Sequence, residues 1–414
     1  MNSNGDRAGV QVSRRSIILF GGFLLSLMGG MSYAWGSFVL PLVRDWGWTT
    51  AEANLPFTVM IIVFALAMIP AGGLQDKYGP RKVATIGAVL FLVGYTLAGL
   101  MRYFPSPVWL TLSYGLGVGM ACGLTYATIA PTARKWYPDR PGFAVSCAVM
   151  GFGLAAVLFA PLKKQLISMW GVDGTLFGLG IFVAVVAMAG TRLIRNPPQG
   201  WTPLSVDSDS QTSSKATQTE NISPREFVRT PRFFLLWLAL AAVIGGGLTA
   251  IGLLTAYGEV ELELAPAIAA LAVSFYSLAN GLGRPFAGSL ADRKGTVKVM
   301  LTVYTVQAAV FIALPWVATS PLRLFVCSLL LGVGYATTFA LFPVVVAAVS
   351  GTRYLGMNYG LVFSAFGLGA ITSLLGSWLL DVTGEFTSAF LLAGFATVFG
   401  LILLLILYRK YKVA

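Results

Sequence analysis

Histidine is absent from this chain of 414 residues, and charged residues make up only 11% of it. The missing histidine removes the commonest metal ligand and the usual proton shuttle of enzymes. The three cysteines, Cys122, Cys147 and Cys327, show no disulfide or metal-ligand spacing. No metal centre or catalytic constellation is therefore predicted, and we expect neither a cofactor nor enzyme activity.

Hydrophobic residues make up 57% of the chain, a proportion that a water-soluble domain of this length does not show. Apolar runs of about 20 residues, the length that crosses a bilayer, recur along the whole chain. These runs predict twelve membrane-spanning helices, at approximately 16–41, 52–74, 83–101, 107–132, 142–162, 172–194, 232–258, 266–291, 297–317, 321–349, 357–381 and 386–408. The first run lacks a convincing cleavage site and is interpreted as a spanning helix, not a signal peptide. We therefore predict an all-α, multi-pass protein of the inner (plasma) membrane.

The net charge of +12 would suit a nucleic-acid-binding protein, but the placement of the basic residues indicates membrane topology instead. With both termini in the cytoplasm, 22 of the 28 lysines and arginines fall in cytoplasmic segments. Five fall in outer segments, namely Arg44, Arg102, Lys163, Lys164 and Arg323, while Arg284 remains within a predicted helix. This asymmetry follows the positive-inside rule, so the lipid bilayer is the expected partner and nucleic acid is not.

The chain repeats itself weakly at half its length. Residues 72–79 recur in part as residues 288–295, an offset of 216, and Phe152-Gly153-Leu154 recurs as Phe366-Gly367-Leu368, an offset of 214. A polar segment rich in Ser, Thr and Asp separates the repeats. We predict an N-terminal six-helix bundle at 1–195, a cytoplasmic linker at 196–230 and a C-terminal six-helix bundle at 231–414. Parallel repeats of six helices are typical of transporters whose two bundles rock about a site at the membrane midplane.

The loop GGLQDKYGPRK, residues 72–82, resembles the signature that transporters of the major facilitator superfamily have between helices two and three. Four further segments look like the oxalate/formate antiporter and monocarboxylate transporter branch: KWYPDRPG at 135–142, RTPRFFLLW at 229–237, NGLGRP at 280–285 and NYG at 358–360. The resemblance covers the whole chain and implies a bacterial transporter of monocarboxylates of the lactate and pyruvate class.

The superfamily signature also implies a conformational role for the loops that contain it. In such loops, acidic and basic residues help to hold the two bundles together while the outer side is open. A carboxylate near a helix N-terminus or a basic side chain across the interface gains charge-assisted hydrogen bonds that break on rocking. The residues at the matching places are Asp76, Lys77, Arg81, Asp292 and Arg293. Retention of charge for topology alone is the alternative.

Arg284 is a full positive charge inside the apolar stretch 266–291. Such a charge at a helix centre costs roughly 2.5 to 3.5 kcal/mol on insertion scales, so it points to a functional site. Arg284 precedes Asp292 by eight residues, which places it roughly 12 Å deeper and close to the midplane. None of the sixteen acidic residues lies in the middle of a predicted span, so we expect a substrate anion as its partner. A structural arginine bonded to carbonyls or to a nearby acid is the alternative.

The guanidinium offers a planar fork that can grip a carboxylate with two parallel hydrogen bonds. Asn280, one turn earlier on the same face, can bond a substrate oxygen or orient the arginine. An acid stands at this place in mammalian-type monocarboxylate carriers, so Asn280 argues against a proton acceptor on helix eight. One arginine neutralises one carboxylate, and a dicarboxylate would leave a second charge unpaired. The oxalate antiporter has a lysine in helix eleven for that charge, and counting from NYG places Phe366 there, which favours a monocarboxylate.

The resemblance places four aromatic candidates on the central helices one, four and ten: Tyr33, Tyr126, Tyr335 and Phe339. A tyrosine can cover a small apolar acid and offer a hydroxyl to its carboxylate, although packing alone is the alternative.

Proton coupling has the weakest sequence signal. Symport of one proton with one monocarboxylate moves no net charge. It therefore avoids work against the membrane potential, which is about 2.3 kcal/mol per charge per 100 mV. The acids nearest the expected cavity, Glu259 and Glu261 with Glu263, are the candidate proton carriers. A solvated outer rim, with the neutral acid as the transported species, is the alternative. We predict a proton-coupled monocarboxylate transporter, with an oxalate- or formate-type anion exchanger as the alternative function.

Overall fold

The structure is a computed structural model that describes residues 3–198 and 221–411, apart from the side chains of residues 3–14, 50, 51 and 381. The described residues form helices joined by short turns and contain no β-strand. Eleven helical segments are long and apolar enough to cross a membrane. The predicted all-α membrane architecture is therefore confirmed.

Fifteen α-helices are described, and they fall on either side of the predicted linker. The first set is α1 (Ser3–Gly30), α2 (Gly36–Trp46), α3 (Thr50–Tyr78), α4 (Pro80–Gly99), α5 (Pro107–Leu110), α6 (Gly119–Trp136) and α7 (Pro141–Leu193). The second set is α8 (Pro224–Phe227), α9 (Pro231–Val260), α10 (Pro266–Lys294), α11 (Thr296–Val317), α12 (Pro321–Ser350), α13 (Leu355–Phe363), α14 (Ala365–Thr383) and α15 (Phe386–Tyr411). A 3₁₀ turn at Met31–Trp35 joins α1 to α2, and a π-helical turn at Thr111–Val118 joins α5 to α6.

The longest helix, α7, accounts for two membrane crossings. It contains 53 residues, which at 1.5 Å each is far more than one bilayer requires. Gly171 interrupts it with a φ of 71° and a ψ of −179°, outside the helical region. Counting α7 as two spans gives the twelve crossings that the hydropathy predicts.

The predicted end of the fifth span near residue 162 is wrong, because α7 continues in helical conformation up to Gly171. Lys163 and Lys164, expected in an outer loop, therefore lie on this helix. Lys164 is exposed, whereas Lys163 is fully buried and donates a hydrogen bond inside the bundle. Hydropathy placed the helix end too early because it counts every lysine as exposed. It does not include the hydrogen-bond acceptor that allows Lys163 to be buried.

The two bundles pack within themselves and meet mainly along two helix pairs. In the N-terminal bundle α1 and α4 pack on α6 and α7, and in the C-terminal bundle α9 packs on α14 and α15. Between the bundles, α7 contacts α10 and α3 contacts α13. We call the end of the bundles that holds the chain termini the inner end; its cytoplasmic location stays a prediction. The bundle boundaries and the linker also stay predictions, since residues 199–220, which include Lys215, lie outside the described residues.

Candidate substrate site

A cavity of about 320 Å³ lies between the bundles in their outer half. Its wall includes Asn54, near the outer start of α3, and Ile251, in the outer half of α9. The cavity is large enough for a small organic molecule but lies at the low end of ligand-site volumes.

The lining of the cavity is mainly apolar, with six aromatic residues, and includes no charged side chain among the described residues. The N-terminal bundle contributes Tyr33 and Phe152, and the C-terminal bundle contributes Tyr276, Asn280 and Tyr335. Tyr276, Asn280 and Arg284 follow each other at intervals of four, so they share one face of α10. That spacing could have identified Tyr276 from the sequence.

Arg284 lies one turn further inward than Asn280 and is only 1% exposed. Its Nη1 donates to the backbone oxygen of Val149 at 2.7 Å, and its Nη2 donates to Asn280 Oδ1 at 3.2 Å. Its Cζ stands 4.9 Å from the ring centre of Phe339. The two ion pairs found among the described residues join Arg15 to Asp139 and Arg44 to Asp45, so no carboxylate neutralises Arg284 there. The guanidinium is held by neutral oxygens, one of them from the opposite bundle.

Three tyrosine hydroxyls surround this guanidinium without a well-formed hydrogen bond of their own. They belong to Tyr33, Tyr126 and Tyr335, and each is buried. All three lie within electrostatic reach of Arg284. Hydroxyl donors and a guanidinium in one buried region are groups suited to binding an anion.

An aromatic cluster closes the cavity on its inner side. Phe64 and Tyr126 from the N-terminal bundle meet Phe363, with ring centres 5.3 Å and 5.8 Å away. Phe366 stacks on Phe363 at 5.6 Å and lies 6.2 Å from Phe339. Phe366 is fully buried in this floor and does not line the cavity. Phe64 and Phe363 were not predicted, because aromatic residues are too common in membrane helices to stand out singly.

Two carboxylates hold the bundles together at the inner end, at positions related by the repeat. Asp76 of α3 accepts hydrogen bonds from the N–H groups of Gly356 and Met357, at 3.2 Å and 3.0 Å. Asp292 of α10 accepts them from Gly142 and Phe143, at 2.7 Å and 2.8 Å. Each carboxylate therefore occupies the N-terminal end of a helix in the opposite bundle, α13 or α7, where the first N–H groups have no helical partner.

Glycines allow the backbones to approach closely beside these carboxylates. A Cβ atom on Gly72 would lie 2.1 Å from the backbone oxygen of Gly356, and one on Gly288 would lie 2.2 Å from that of Gly142. Neither position has room for a side chain. The inner end is closed and the cavity lies in the outer half, which is an outward-facing arrangement if the inner end is cytoplasmic as predicted.

The basic residues predicted for the loops behave differently from the two acids. Lys77 lies over the ring of Tyr78 in its own helix, and Arg81 donates to the backbone oxygen of Arg192 within the same bundle. Arg293 lines a surface pocket at the inner end together with Asp139 and Arg140.

Two other basic residues, which the sequence argument missed, lie nearer to the interface acids. Arg134 and Lys135, at the inner end of α6, are within electrostatic reach of Asp292 and Asp76 respectively.

The candidate proton carriers Glu259 and Glu261 are exposed at the outer end of α9. Neither lines the cavity. Glu263 is also exposed, in the following turn, with a φ of 49°.

Two helical bundles around a central cavity, closed at one end by reciprocal interface contacts, define a multi-pass membrane transporter. The chain belongs to the Major Facilitator Superfamily, whose family model matches residues 18–264 and 259–413. It is a transporter of the inner membrane and not an enzyme. The family predicted from the loop signature is thereby confirmed.

Relatives support the predicted branch of this superfamily. The chain is 28% identical over 364 residues to the oxalate:formate antiporter of Oxalobacter formigenes, covering 87% of this chain and 83% of that protein. It is 26% identical over 383 residues to monocarboxylate transporter 13 of Bos taurus, covering 91% and 85%. Among solved structures, the fucose:proton symporter FucP of E. coli matches with a TM-score of 0.70 at 14% identity, covering 93% of this chain and 97% of that one. At that identity the likeness concerns the fold alone.

Proposed function

We propose that the protein is a secondary active transporter of small monocarboxylates of the lactate and pyruvate class, coupled to protons. Its two bundles alternate access to a site centred on Arg284. The observation that supports this most directly is the guanidinium of Arg284, which is buried beside a small cavity, has no carboxylate partner among the described residues and lies near three tyrosine hydroxyls. A carboxylate would exchange the neutral partners of Arg284 for charge-assisted, paired hydrogen bonds.

Charge counting supports one carboxylate over two. Arg284 is the cation beside the cavity floor, and the place of the second cation of the oxalate antiporter is taken by Phe366, an apolar residue of that floor. A second carboxylate would have no cation beside it and would lose its hydration without compensation. The 28% identity to the oxalate:formate antiporter keeps an exchanger as the second candidate.

We further propose that Asp76 and Asp292 stabilise the outward-facing state. Each carboxylate accepts hydrogen bonds from N–H groups that have no helical partner at a helix N-terminus of the other bundle. The hydrogen bonds to the carboxylates must break when the inner end opens. Since Glu259 and Glu261 are exposed away from the cavity, the proton is proposed to travel with the substrate as the neutral acid.

The function is tested by uptake of labelled L-lactate into proteoliposomes with and without an inward proton gradient, for the wild-type protein and Arg284→Ala. Saturable, gradient-driven uptake that the substitution abolishes supports proton-coupled monocarboxylate transport. Uptake that appears only after formate or oxalate is loaded inside would replace the symporter with the exchanger. Linear, unsaturable flux would contradict both.

A further inference from the structure

Lys163 is a buried lysine that the proposed transport mechanism does not use. It lies on α7 with no exposed surface. Its Nζ donates to the backbone oxygen of Met31 at 2.8 Å and stands 5.0 Å from the ring centre of Phe38. Neither ion pair among the described residues involves it. Lysine is almost never fully buried without a specific partner, so the contact with Met31 needs an explanation.

Met31 begins the break in the first membrane span. The five residues Met31–Trp35 form a 3₁₀ turn between α1 and α2, and Ala34 within it has non-helical angles, φ −84° and ψ 26°. A break in a membrane helix frees carbonyl groups that must find partners inside the protein, because lipid offers none. Lys163 gives the Met31 carbonyl a side-chain donor from a neighbouring helix at the start of this turn.

This break brings the first span to the substrate cavity. Tyr33, Trp35 and Gly36 all line the cavity. The ring of Tyr33 packs edge-on against Phe152 of α7, with ring centres 5.1 Å apart. Ser37, just beyond the break, donates to the backbone oxygen of Ala160, also on α7. Helix α7 therefore contacts the first span before, within and beyond the break.

The internal repeat provides a comparison within the same molecule. At the offset of 214 that relates Phe152 to Phe366, the counterpart of Lys163 is Ser377. Its Oγ donates to Ser373 within its own helix. The first span of the C-terminal bundle, α9, runs from Pro231 to Val260 without a 3₁₀ turn. The break and the lysine thus occur together in one half, and the other half has neither.

We propose that Lys163 is a positioning residue of the substrate site, which keeps the first span broken at Met31 and thereby holds Tyr33 and Gly36 at the cavity. In an α-helix the Met31 carbonyl would accept from the N–H of residue 35, so loss of the Lys163 donor removes a contact that favours the 3₁₀ turn. Five residues at 3.6 instead of 3.0 per turn rotate the following segment by about 100° relative to the preceding one. Such a rotation turns Gly36 away from the cavity, and it turns Tyr33, which lies within the turn, by a smaller angle.

The first test measures the position of the break without any substrate. Cysteine is introduced at Gly36, where an added Cβ meets no atom within 4 Å, and a membrane-impermeant thiol reagent is applied from the outer side. Labelling at position 36 is followed by peptide mass in Gly36→Cys alone, with Lys163→Met, and with Lys164→Met as the matched control. Lys164 is the exposed neighbour of Lys163.

We expect Lys163→Met to change the labelling rate by threefold or more and Lys164→Met to leave it within a factor of 1.5. Equal rates in all three proteins, with melting temperatures showing that they are folded, would overturn the proposal. If Lys163→Met does not fold, Lys163→Leu, which also removes the donor, is measured in its place under the same criterion.

The second test asks whether the hydrogen bond from Lys163 to Met31 matters for transport, and it rests on the proposed function. Loss of this hydrogen bond should raise KM for L-lactate uptake about tenfold with Vmax within twofold, since only the arrangement of the site changes. In a Tyr33→Ala background, Lys163→Met should add less than twofold to KM, because both act through the same residue. A lowered Vmax with unchanged KM would assign Lys163 a merely structural role. If the wild-type protein takes up no lactate, the proposed function fails while the labelling test still decides on Lys163.

Discussion

A guanidinium has five N–H donors and no acceptor, so the partners of Arg284 determine what the site can bind. In the structure these partners are neutral oxygens of Val149 and Asn280. A carboxylate is a stronger acceptor than an amide or peptide oxygen, so it can displace them. Because Val149 belongs to the opposite bundle, anion binding would also release one contact between the bundles.

The fork geometry of Arg284 is tested by Arg284→Lys. The charge survives but the two parallel hydrogen bonds do not, so we expect the initial rate of L-lactate uptake to fall at least about tenfold while the melting temperature stays close to that of the wild-type protein. Arg323→Lys, the same change at an exposed arginine on the outer part of α12, is the control and should have no effect. Uptake by Arg284→Lys within twofold of wild type would refute a bidentate grip.

Phe366→Lys tests the charge-counting argument. A lysine in the aromatic floor would provide a second cation, so competition of oxalate against labelled lactate should strengthen relative to that of formate. Phe366→Met, which removes the ring without adding charge, separates the effect of charge from that of packing. Unchanged selectivity in a folded Phe366→Lys protein would count against the argument.

The role of the outer acids is tested by the double substitution Glu259→Gln and Glu261→Gln. Both side chains are exposed outside the cavity, so we expect proton-driven uptake within twofold of wild type. Loss of the response to the proton gradient, with exchange of labelled for unlabelled lactate retained, would make one of them the proton carrier.

At the scale of the helices, carboxylates from one bundle cap helix N-termini of the other bundle at the inner end. The capping of α13 by Asp76 and of α7 by Asp292 places negative charge at the positive end of each helix dipole. These contacts join residues 281 and 150 positions apart, so they depend on the packing of the bundles and not on local structure.

Asp76→Asn and Asp292→Asn should each weaken the closed inner end. Loss of a charge-assisted contact of this kind shifts the equilibrium towards the inward-facing state by about tenfold. Ser146→Cys is a suitable reporter, because Ser146 lies against Gly288 in the closed seam. Its labelling from the inner side should accelerate in both variants and not in Asp45→Asn, which alters an exposed acid near the outer end of α2. Rates equal to that of the reporter alone would show that the acids do not stabilise the closed end.

At the scale of the whole molecule, closure of the inner end requires the two bundles to touch through backbone. The repeat provides two such places, where Gly72 meets Gly356 and Gly288 meets Gly142. A protein interior is close-packed, so a single added methyl group at such a contact must push the bundles apart.

Gly72→Ala should therefore favour the inward-facing state, because its Cβ would lie 2.1 Å from the backbone oxygen of Gly356. We expect faster labelling of the Ser146→Cys reporter from the inner side and lower uptake from the outside. Gly367→Ala is the matched control, since a Cβ there meets no atom within 4 Å. Equal labelling in the two alanine variants would contradict a backbone seam as the inner closure.

The sequence by itself determined the membrane architecture and the family, and it singled out Arg284 as the residue for which a site is proposed. Span number and family follow from local properties, namely apolar runs of bilayer length and a loop motif. Arg284 stood out because a charge among apolar residues is conspicuous without any structure. Only the tertiary structure decided that Val149 holds Arg284, that Phe366 belongs to a floor, that Lys163 is buried against Met31 and that Arg134 and Lys135 approach the interface acids. These contacts join residues that are distant in the chain, and they depend on how each helix is rotated against its neighbours. Nearly uniform apolar helices carry too weak a periodic signal to specify that rotation.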